Sequence, residues 1–323
     1  MTSLVDRTEI DKLLIIGGAL RAGLIDAVAA APGADAEEVA RGLGADLRAC
    51  RIMLEALRSL GVMTNAGKGY ALTETARLHL VEPPPGDPLP PELERSSLLH
   101  QLRKARGMLD LPYVIAHGRH PERDPAERDL RSFVRTMGEG DPERIAEVVE
   151  RCLAYAGRVE SMIDVGGAVG HVALAFAERG VPSTLFDRPA VLPEAREFLG
   201  EAASGIEMVE GDFTKALPPG PFGLAYLGNI AHIYGPETDA ALVARAAASL
   251  APGGVIAIRD LVWERSPRAA LFAVNMLQAT VDGGVWRESD YRAWLEAAGF
   301  IDVQVVDLSN SDSQLVLGRL PAA

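Results

Sequence analysis

The sequence predicts an α/β protein: a mostly parallel sheet with helices on both faces, preceded by a mostly helical unit. Three observations carry this. From Met162 onward, short apolar runs alternate with stretches of helical period, the mark of βαβ units. The run Met162-Ile163-Asp164-Val165 enters the cluster Gly166-Gly167-Ala168-Val169-Gly170 and then a helical pattern through Ala175 and Phe176, which reads as strand, tight turn, helix. Ahead of a proline-rich stretch at 81–91, the order is helices and then a hairpin.

Taken in order, Ile10, Leu13, Leu14, Gly17, Leu20, Leu24, Ile25 and Val28 follow helical spacing, so one amphipathic helix is expected over about 8–30, thinned in its middle by Gly17 and Gly18 and ended by Pro32-Gly33. Asp35 is placed to cap a short helix, Ala36 to Leu43, closed by Gly44, and Asp46 to cap a second, Leu47 to Leu60, closed by Gly61. Val62-Met63-Thr64 and Tyr70-Ala71-Leu72 flank the turn signal Asn65-Ala66-Gly67-Lys68-Gly69. Helix, helix, hairpin is the winged-helix pattern, which can serve DNA binding or dimerisation. Residues 1–85 hold 9 Lys and Arg against 11 Asp and Glu, which gives no footprint for phosphate contacts. The apolar surplus on the first helix fits a dimer interface better.

Residues 81–91, rich in proline, form a stiff connector. Helices are expected around Glu92–Leu109 and Ala126–Met137, and a third starts at Asp141-Pro142 with Ile145, Val148, Val149, Cys152, Leu153 and Ala156 on one face. Strands follow at Met162–Val165, Ser183–Phe186, Ile206–Glu210, Leu224–Gly228, Gly254–Asp260, Ile301–Asp307 and Gln314–Arg319. Helices lie between them at about His171–Arg179, Leu192–Leu199, Thr238–Leu250 and Ser289–Ala298, and an extra one at about Pro267–Thr280.

The glycine turn lets a ligand lie against bare backbone. Its spacing does not give the dinucleotide pattern G-x-G-x-x-G without a substitution. Asp164, two residues before the first glycine, is badly placed for a pyrophosphate and well placed for a cationic group such as the ammonium of an amino acid. S-adenosylmethionine (SAM) has such an end and no phosphates. Asp187 ends the second strand, where a carboxylate can accept from both hydroxyls of a ribose. Asp212 and Phe213 follow the third, where one can face an adenine amino group and the other its ring. Singly, each acid is more often a turn residue or helix cap, and three acids at three successive strand ends make a stronger signal than any one of them. After the fourth strand comes Asn229-Ile230-Ala231-His232. His232 can be a general base with Asp260, at the end of the fifth strand, holding its far nitrogen, or it can be a loop histidine capping the next helix.

Composition narrows the partners. The net charge of −13 disfavours nucleic acid and anionic membranes. Cys50 and Cys152 sit in apolar helical patterns, as reduced core thiols of a cytoplasmic protein would. No basic-then-apolar leader opens the chain, and no apolar run reaches the roughly 18 residues of a membrane span. The six histidines do not pair with other donors at ligand spacing, so no metal is expected.

These motifs in this order resemble the small-molecule O-methyltransferases that join a winged-helix dimerisation domain to a Rossmann-like class I SAM methyltransferase sheet. Asp164 to Gly170 resembles the family's D-x-G-G-G-x-G stretch. Phe186-Asp187-Arg188-Pro189 and Gly211-Asp212-Phe213 resemble its ribose and adenine stretches, and Asn229 to His232 the loop with the catalytic histidine. Leu250 to Gly254 resembles the turn before the fifth strand, Leu271 to Leu277 the helix lining the acceptor pocket, and Gly283-Gly284 with Glu296 to Phe300 the closing stretch.

The resemblance implies three segments: a dimerisation domain over 1–85, a helical linker and acceptor-pocket region over 86–158, and a SAM-binding domain over 159–323. It implies SAM held by Asp164, Gly166, Gly167, Gly170, Asp187, Arg188, Asp212, Phe213 and Asn229. His232 would be the base and Asp260 its support in methyl transfer to a hydroxyl of a small, aromatic or natural-product acceptor, in a homodimer. Phe133, Met137, Asn275, Met276 and Trp286 would line the acceptor pocket, although Phe133, Met137 and Met276 could equally be core. The chain departs from the family at Ala168, which replaces the third glycine of the motif, at Ile233 after the histidine, and at Trp286, where many members carry a second supporting carboxylate. Alternatives are a SAM-binding relative that decarboxylates, hydroxylates or runs a pericyclic step, and a SAM-responsive regulator without chemistry.

Overall fold

The computed structural model describes residues 7–83, 93–122, 130–138, 141–309 and 311–322. The chain forms two compact units that divide between Arg106 and Gly107. Most of the proline-rich connector and the start of the helix expected from Ala126 lie outside the described residues.

In the first unit the single helix expected over 8–30 is two, α1 (Arg7–Arg21) and α2 (Leu24–Ala30). The break falls at Gly23, which takes φ 71, a left-handed conformation that glycine adopts without Cβ strain. Gly17 instead stays helical, where an added Cβ would lie 3.1 Å from Leu102. The two caps are as expected. Asp35 starts α3 (Ala36–Leu43) in a capping box with Glu38, and Asp46 starts α4 (Leu47–Ser59) by accepting from the Ala49 N–H. The hairpin β1 (Met63–Ala66) and β2 (Gly69–Leu72) follows, then α5 (Glu74–Leu80) and α6 (Arg95–Leu109), in which the unit ends. Ile25, Val28, Leu54 and Leu57 are fully buried at its core.

The second unit opens with α7 (Leu111–His117), α8 (Leu130–Gly138) and α9 (Pro142–Ala156). The sequence did not reveal α7, whose seven residues are too few to show a period. Then come β3 (Met162–Val165), α10 (His171–Ala177), β4 (Ser183–Asp187), α11 (Leu192–Leu199), β5 (Glu207–Glu210), β6 (Phe222–Gly228), α12 (Pro236–Ser249), β7 (Leu250–Asp260), α13 (Ala269–Ala279), α14 (Glu288–Ala297), β8 (Ile301–Asp307) and β9 (Gln314–Arg319). Seven strands order as β5-β4-β3-β6-β7-β9-β8, parallel except for β9, which is antiparallel to both neighbours. Strand β7 begins four residues earlier than expected. Leu250 pairs with Phe222, and an irregularity between Phe222 and Leu224 takes up the extra residues before Val255.

Strand order reverses at β3, with β4 on one side and β6 on the other, so the crevice for a ligand opens beyond the ends of β3 and β6. Each sheet face has its own core. Met162, Phe176, Leu185, Tyr226 and Ala257 share one, and Ile163, Phe186, Ile258, Tyr291 and Leu295 the other. Side chains alternate along each strand. Asp164 and Arg259 therefore belong to the face of Tyr226, and Asp260 to the face of Ile258. Both cysteines are buried and free. Among the described residues no single helix is long and apolar enough to cross a membrane.

Candidate active site

The turn after β3 is built by two left-handed glycines, Gly166 at φ 67 and Gly170 at φ 77. Gly166 donates to the Phe186 carbonyl at 2.7 Å, and Gly170 to that of Gly167 at 2.9 Å. A Cβ on Gly166 would come within 2.7 Å of Ile230 Cδ1 and 3.0 Å of the Phe213 ring, and one on Gly167 would fall 2.4 Å from the Asp164 carboxyl. The backbone here is bare because a side chain would collide with Ile230, Phe213 or Asp164. Ala168, in place of the motif's third glycine, also takes a positive φ, 51°.

Asp164 is 1% exposed. Its Oδ2 accepts from the Ala173 N–H at 3.2 Å, and its Oδ1 has no hydrogen-bond partner among the described residues. Burial pushes its pKa up to about 7, opposed by the Ala173 hydrogen bond and assisted by the charge of Asp187. A buried carboxyl with an empty acceptor is the feature a ligand ammonium would satisfy.

Asp187 ends β4 with both oxygens directed by backbone. Oδ2 accepts from the Ala168 N–H at 3.0 Å and Oδ1 from the Arg188 N–H at 2.7 Å, which fixes the carboxylate and leaves lone pairs for ribose hydroxyls. Burial raises its pKa against those two bonds. Arg188 follows it at the strand end, with its side chain exposed. Asp212 is drawn into its own turn, accepting from the Thr214 N–H at 3.0 Å and hydroxyl at 2.6 Å and pairing with Lys215 at 3.2 Å. Phe213 is buried, edge-on to Tyr234 at 5.9 Å between ring centres.

Asn229, at φ 58, turns the chain sharply off β6 and donates its N–H to the Arg259 carbonyl at 2.8 Å. The turn continues as one 3-10 turn, Ala231–Ile233, and delivers His232 to Asp260. His232 Nδ1 lies 2.8 Å from Asp260 Oδ1 and 3.0 Å from Oδ2, and the His232 backbone N–H donates to Oδ2 at 3.1 Å. Leu261 N–H donates to Oδ1 at 2.8 Å. The histidine side chain is 12% exposed and that of Asp260 1%, so the pair is shielded from water. A carboxylate facing Nδ1 puts the proton on that nitrogen and leaves Nε2 as an acceptor, the arrangement of a general base with its support. Phe272 of α13 meets the imidazole edge-on at 4.8 Å.

The remaining residues are spread more widely. Trp286 donates its indole N–H to the Ala231 carbonyl at 2.9 Å, directly behind His232. Glu288, two residues on, is engaged by Arg265 and Arg292 at 2.8 and 2.7 Å, so it does not supply a carboxylate to His232. Met276 is buried in α13, and Asn275 Oδ1 accepts from Gln278 Nε2 at 2.9 Å. Phe133 packs with Val134, Val169 and Val191 beside the glycine turn, whereas Met137 is 38% exposed at the far end of α8.

Sequence reasoning missed several buried polar groups. His171 Nδ1, Arg259 Nε, both Asp239 oxygens and the Tyr291 hydroxyl have no hydrogen-bond partner among the described residues. Arg259 left a signal, a lone cation in the otherwise apolar Val255-Ile256-Ala257-Ile258. Among the described residues no group of three or more His, Cys, Asp or Glu side chains could hold a metal ion.

Residues 97–301 match the O-methyltransferase domain family and residues 16–82 the O-methyltransferase dimerisation domain. The 3-amino-4-hydroxybenzoate 4-O-methyltransferase of Streptomyces cremeus is 30% identical over 306 residues, covering 87% of this chain and 80% of that one. The mitomycin biosynthesis 6-O-methyltransferase of Streptomyces lavendulae is 25% identical over 279 residues, 82% and 78% of the two chains. Human N-acetylserotonin methyltransferase in complex with SAM superposes with a TM-score of 0.64 at 25% identity over all of both chains. The fold of PigF with SAH superposes with a TM-score of 0.74 at 20% identity over 98% of this chain and 100% of that one.

Proposed function

Because this chain belongs to the SAM-dependent O-methyltransferases that carry a dimerisation domain, we propose that His232 is the general base of its methyl transfer and Asp260 the carboxylate that supports it. The observation that carries this is the shielded pair, 2.8 Å apart, beside a bare glycine turn with an unsatisfied carboxyl. SAM, when bound, supplies an electrophilic methyl on a sulfonium. Asp164 suits its ammonium, and Gly166, Gly167 and Gly170 give it room. Asp187 suits its ribose, with Arg188 and Asn229 at the adjoining strand ends. Phe213 offers its ring to the adenine, and Asp212 keeps acceptor capacity beside its turn bonds.

His232 Nε2 takes the proton from an acceptor hydroxyl as that oxygen attacks the methyl. Asp260 fixes the tautomer and faces the imidazolium that forms. Most of the acceleration comes from holding nucleophile and methyl in line at close approach. The acceptor is a small phenol or related natural product, against Phe272, Met276, Asn275 and Trp286, with Phe133 and Met137 as further apolar surface. Two relatives are named for acceptors of that kind, 3-amino-4-hydroxybenzoate and 3-hydroxy-5-methyl-1-naphthoate. The chain is a homodimer through its N-terminal unit, where Ile10 and Leu14, one helical turn apart on α1, are 44% and 47% exposed. Buried free thiols suit the reducing cytoplasm.

The test is calorimetric titration with SAM, S-adenosylhomocysteine (SAH) and NAD, followed by a screen of phenols for a gain of one methyl mass. Binding of the adenosyl compounds without NAD is expected. His232→Ala should abolish methyl gain while leaving SAH affinity unchanged, and surviving turnover in that variant would remove the histidine from the base role.

A further inference from the structure

Three buried polar atoms without partners lie on one face of the sheet near the ends of β3, β6 and β7, and only Asp164 Oδ1 is explained above. The others are His171 Nδ1 and Arg259 Nε. Register brings them together. Asp164 on β3 is level with Tyr226 on β6, and Gly228, two residues further along that strand on the same face, is level with Arg259 on β7. Gly228 makes room for the Tyr226 ring, since a Cβ there would lie 2.8 Å from the Tyr226 hydroxyl. The charge of Arg259 bears on both Tyr226 and His171, which ties the four residues into one cluster.

We propose that Arg259 and His171 bind the α-carboxylate of the cofactor's amino-acid end, opposite Asp164 at its ammonium, so that the site reads a zwitterion. This rests on the SAM reading above.

The chemistry is matched group for group. A guanidinium presents planar paired N–H donors that suit a carboxylate, and leaving its Nε buried and unbonded is unfavourable until such an acceptor arrives. His171 stays neutral, its pKa pulled down to about 4 by burial and by the charge of Arg259, so it serves as a single N–H donor rather than a second cation. Asp164 and Arg259 stand on strands two apart with β6 between them, so a ligand lying over the end of β6 can meet both. A ligand with a phosphate or an uncharged tail would leave one side of this cluster unpaired.

The experiment is calorimetric titration of the full chain with SAH and with 5′-methylthioadenosine, which keeps the nucleoside and thioether but lacks the amino-acid end. Arg259→Met should weaken SAH by about ten- to a hundredfold and leave 5′-methylthioadenosine within twofold. His171→Phe should weaken SAH alone, by about tenfold or less. Equal weakening of both ligands would mean that Arg259 only supports the fold, and unchanged SAH affinity would mean that it makes no contact; either overturns the proposal. A second arm needs no variant: the wild-type chain should bind decarboxylated SAH at least tenfold more weakly than SAH, and equal affinity would overturn the proposal. A wild-type chain that binds neither SAH nor 5′-methylthioadenosine would defeat the SAM reading itself, a result distinct from any of these.

Discussion

Asp164 should make cofactor affinity depend on pH in a defined direction. In the free protein its carboxyl is pushed up to about 7 by burial, from 3.8. That shift corresponds to roughly 4 kcal/mol held against ionisation. An ammonium needs the carboxylate, so binding selects the deprotonated form and expels a proton wherever the free site is protonated. The sign follows: affinity for SAH is flat above pH 7 and falls as pH drops below it, approaching tenfold per unit, until the bound-state pKa is reached. Between pH 8 and pH 5.5 the loss is about thirtyfold. His171, pulled down to about 4, stays neutral throughout this interval and does not confuse the slope. Calorimetry in buffers of different ionisation enthalpy measures both affinity and protons released. At pH 6 close to one proton should leave per SAH bound. Asp164→Asn keeps the shape and removes the titration, so its affinity should be weak and level across the same range. A wild-type affinity that is level with pH, or a slope that persists in Asp164→Asn, would refute the placement of the ammonium on this carboxyl.

Asp260→Asn leaves the size of the side chain but removes the charge facing the imidazolium. With centres about 4 Å apart and an effective dielectric constant near 20, the pair is worth about 4 kcal/mol, so kcat should fall on the order of a thousandfold with SAH affinity unchanged; initial rates on any accepted phenol, beside a titration, check it. Ala168→Gly removes a left-handed alanine at φ 51, and the relief, less the entropy gained by the unfolded chain, should raise stability by about 1 kcal/mol or less and Tm by about 2 °C in a thermal melt; a lower Tm would contradict it. Ile10→Lys with Leu14→Lys should convert the proposed dimer to monomer in sedimentation analysis while the helical signal in circular dichroism stays, and a dimer that survives both changes would move the interface elsewhere.

Local patterns carried far. Alternation and helical spacing placed the sheet strands with shifts of four residues at most, because strand and helix periods are properties of neighbours in sequence. Asp35 and Asp46 were legible as caps because a cap acts within three residues. The errors have the same origin. One helix was expected over 8–30, but Gly23 broke it, since which glycine turns left-handed depends on packing that no local period records. His232 and Asp260, 28 residues apart, could be paired on paper only because adjacent parallel strands end together.

Arg259 marks where such reading stops. Its neighbour Asp260 could be singled out by type and position, yet alternation sends the two side chains to opposite faces of the sheet. What Arg259 meets there is set by the register of β7 on β6 and of β6 on β3, two pairings that no single stretch encodes. A cation in an apolar strand was the visible sign, and a buried Nε without a partner is what turns that sign into an argument for a ligand. The same reasoning separates Arg259 from Asp239, whose pKa burial and the charge of Asp260 raise to about 9. That carboxyl is neutral at physiological pH and can lie unpaired at modest cost, whereas a guanidinium cannot discharge itself and must find an anion. The arginine's unpaired Nε is therefore the stronger indicator of a binding site, and the carboxylate it calls for is one that SAM carries.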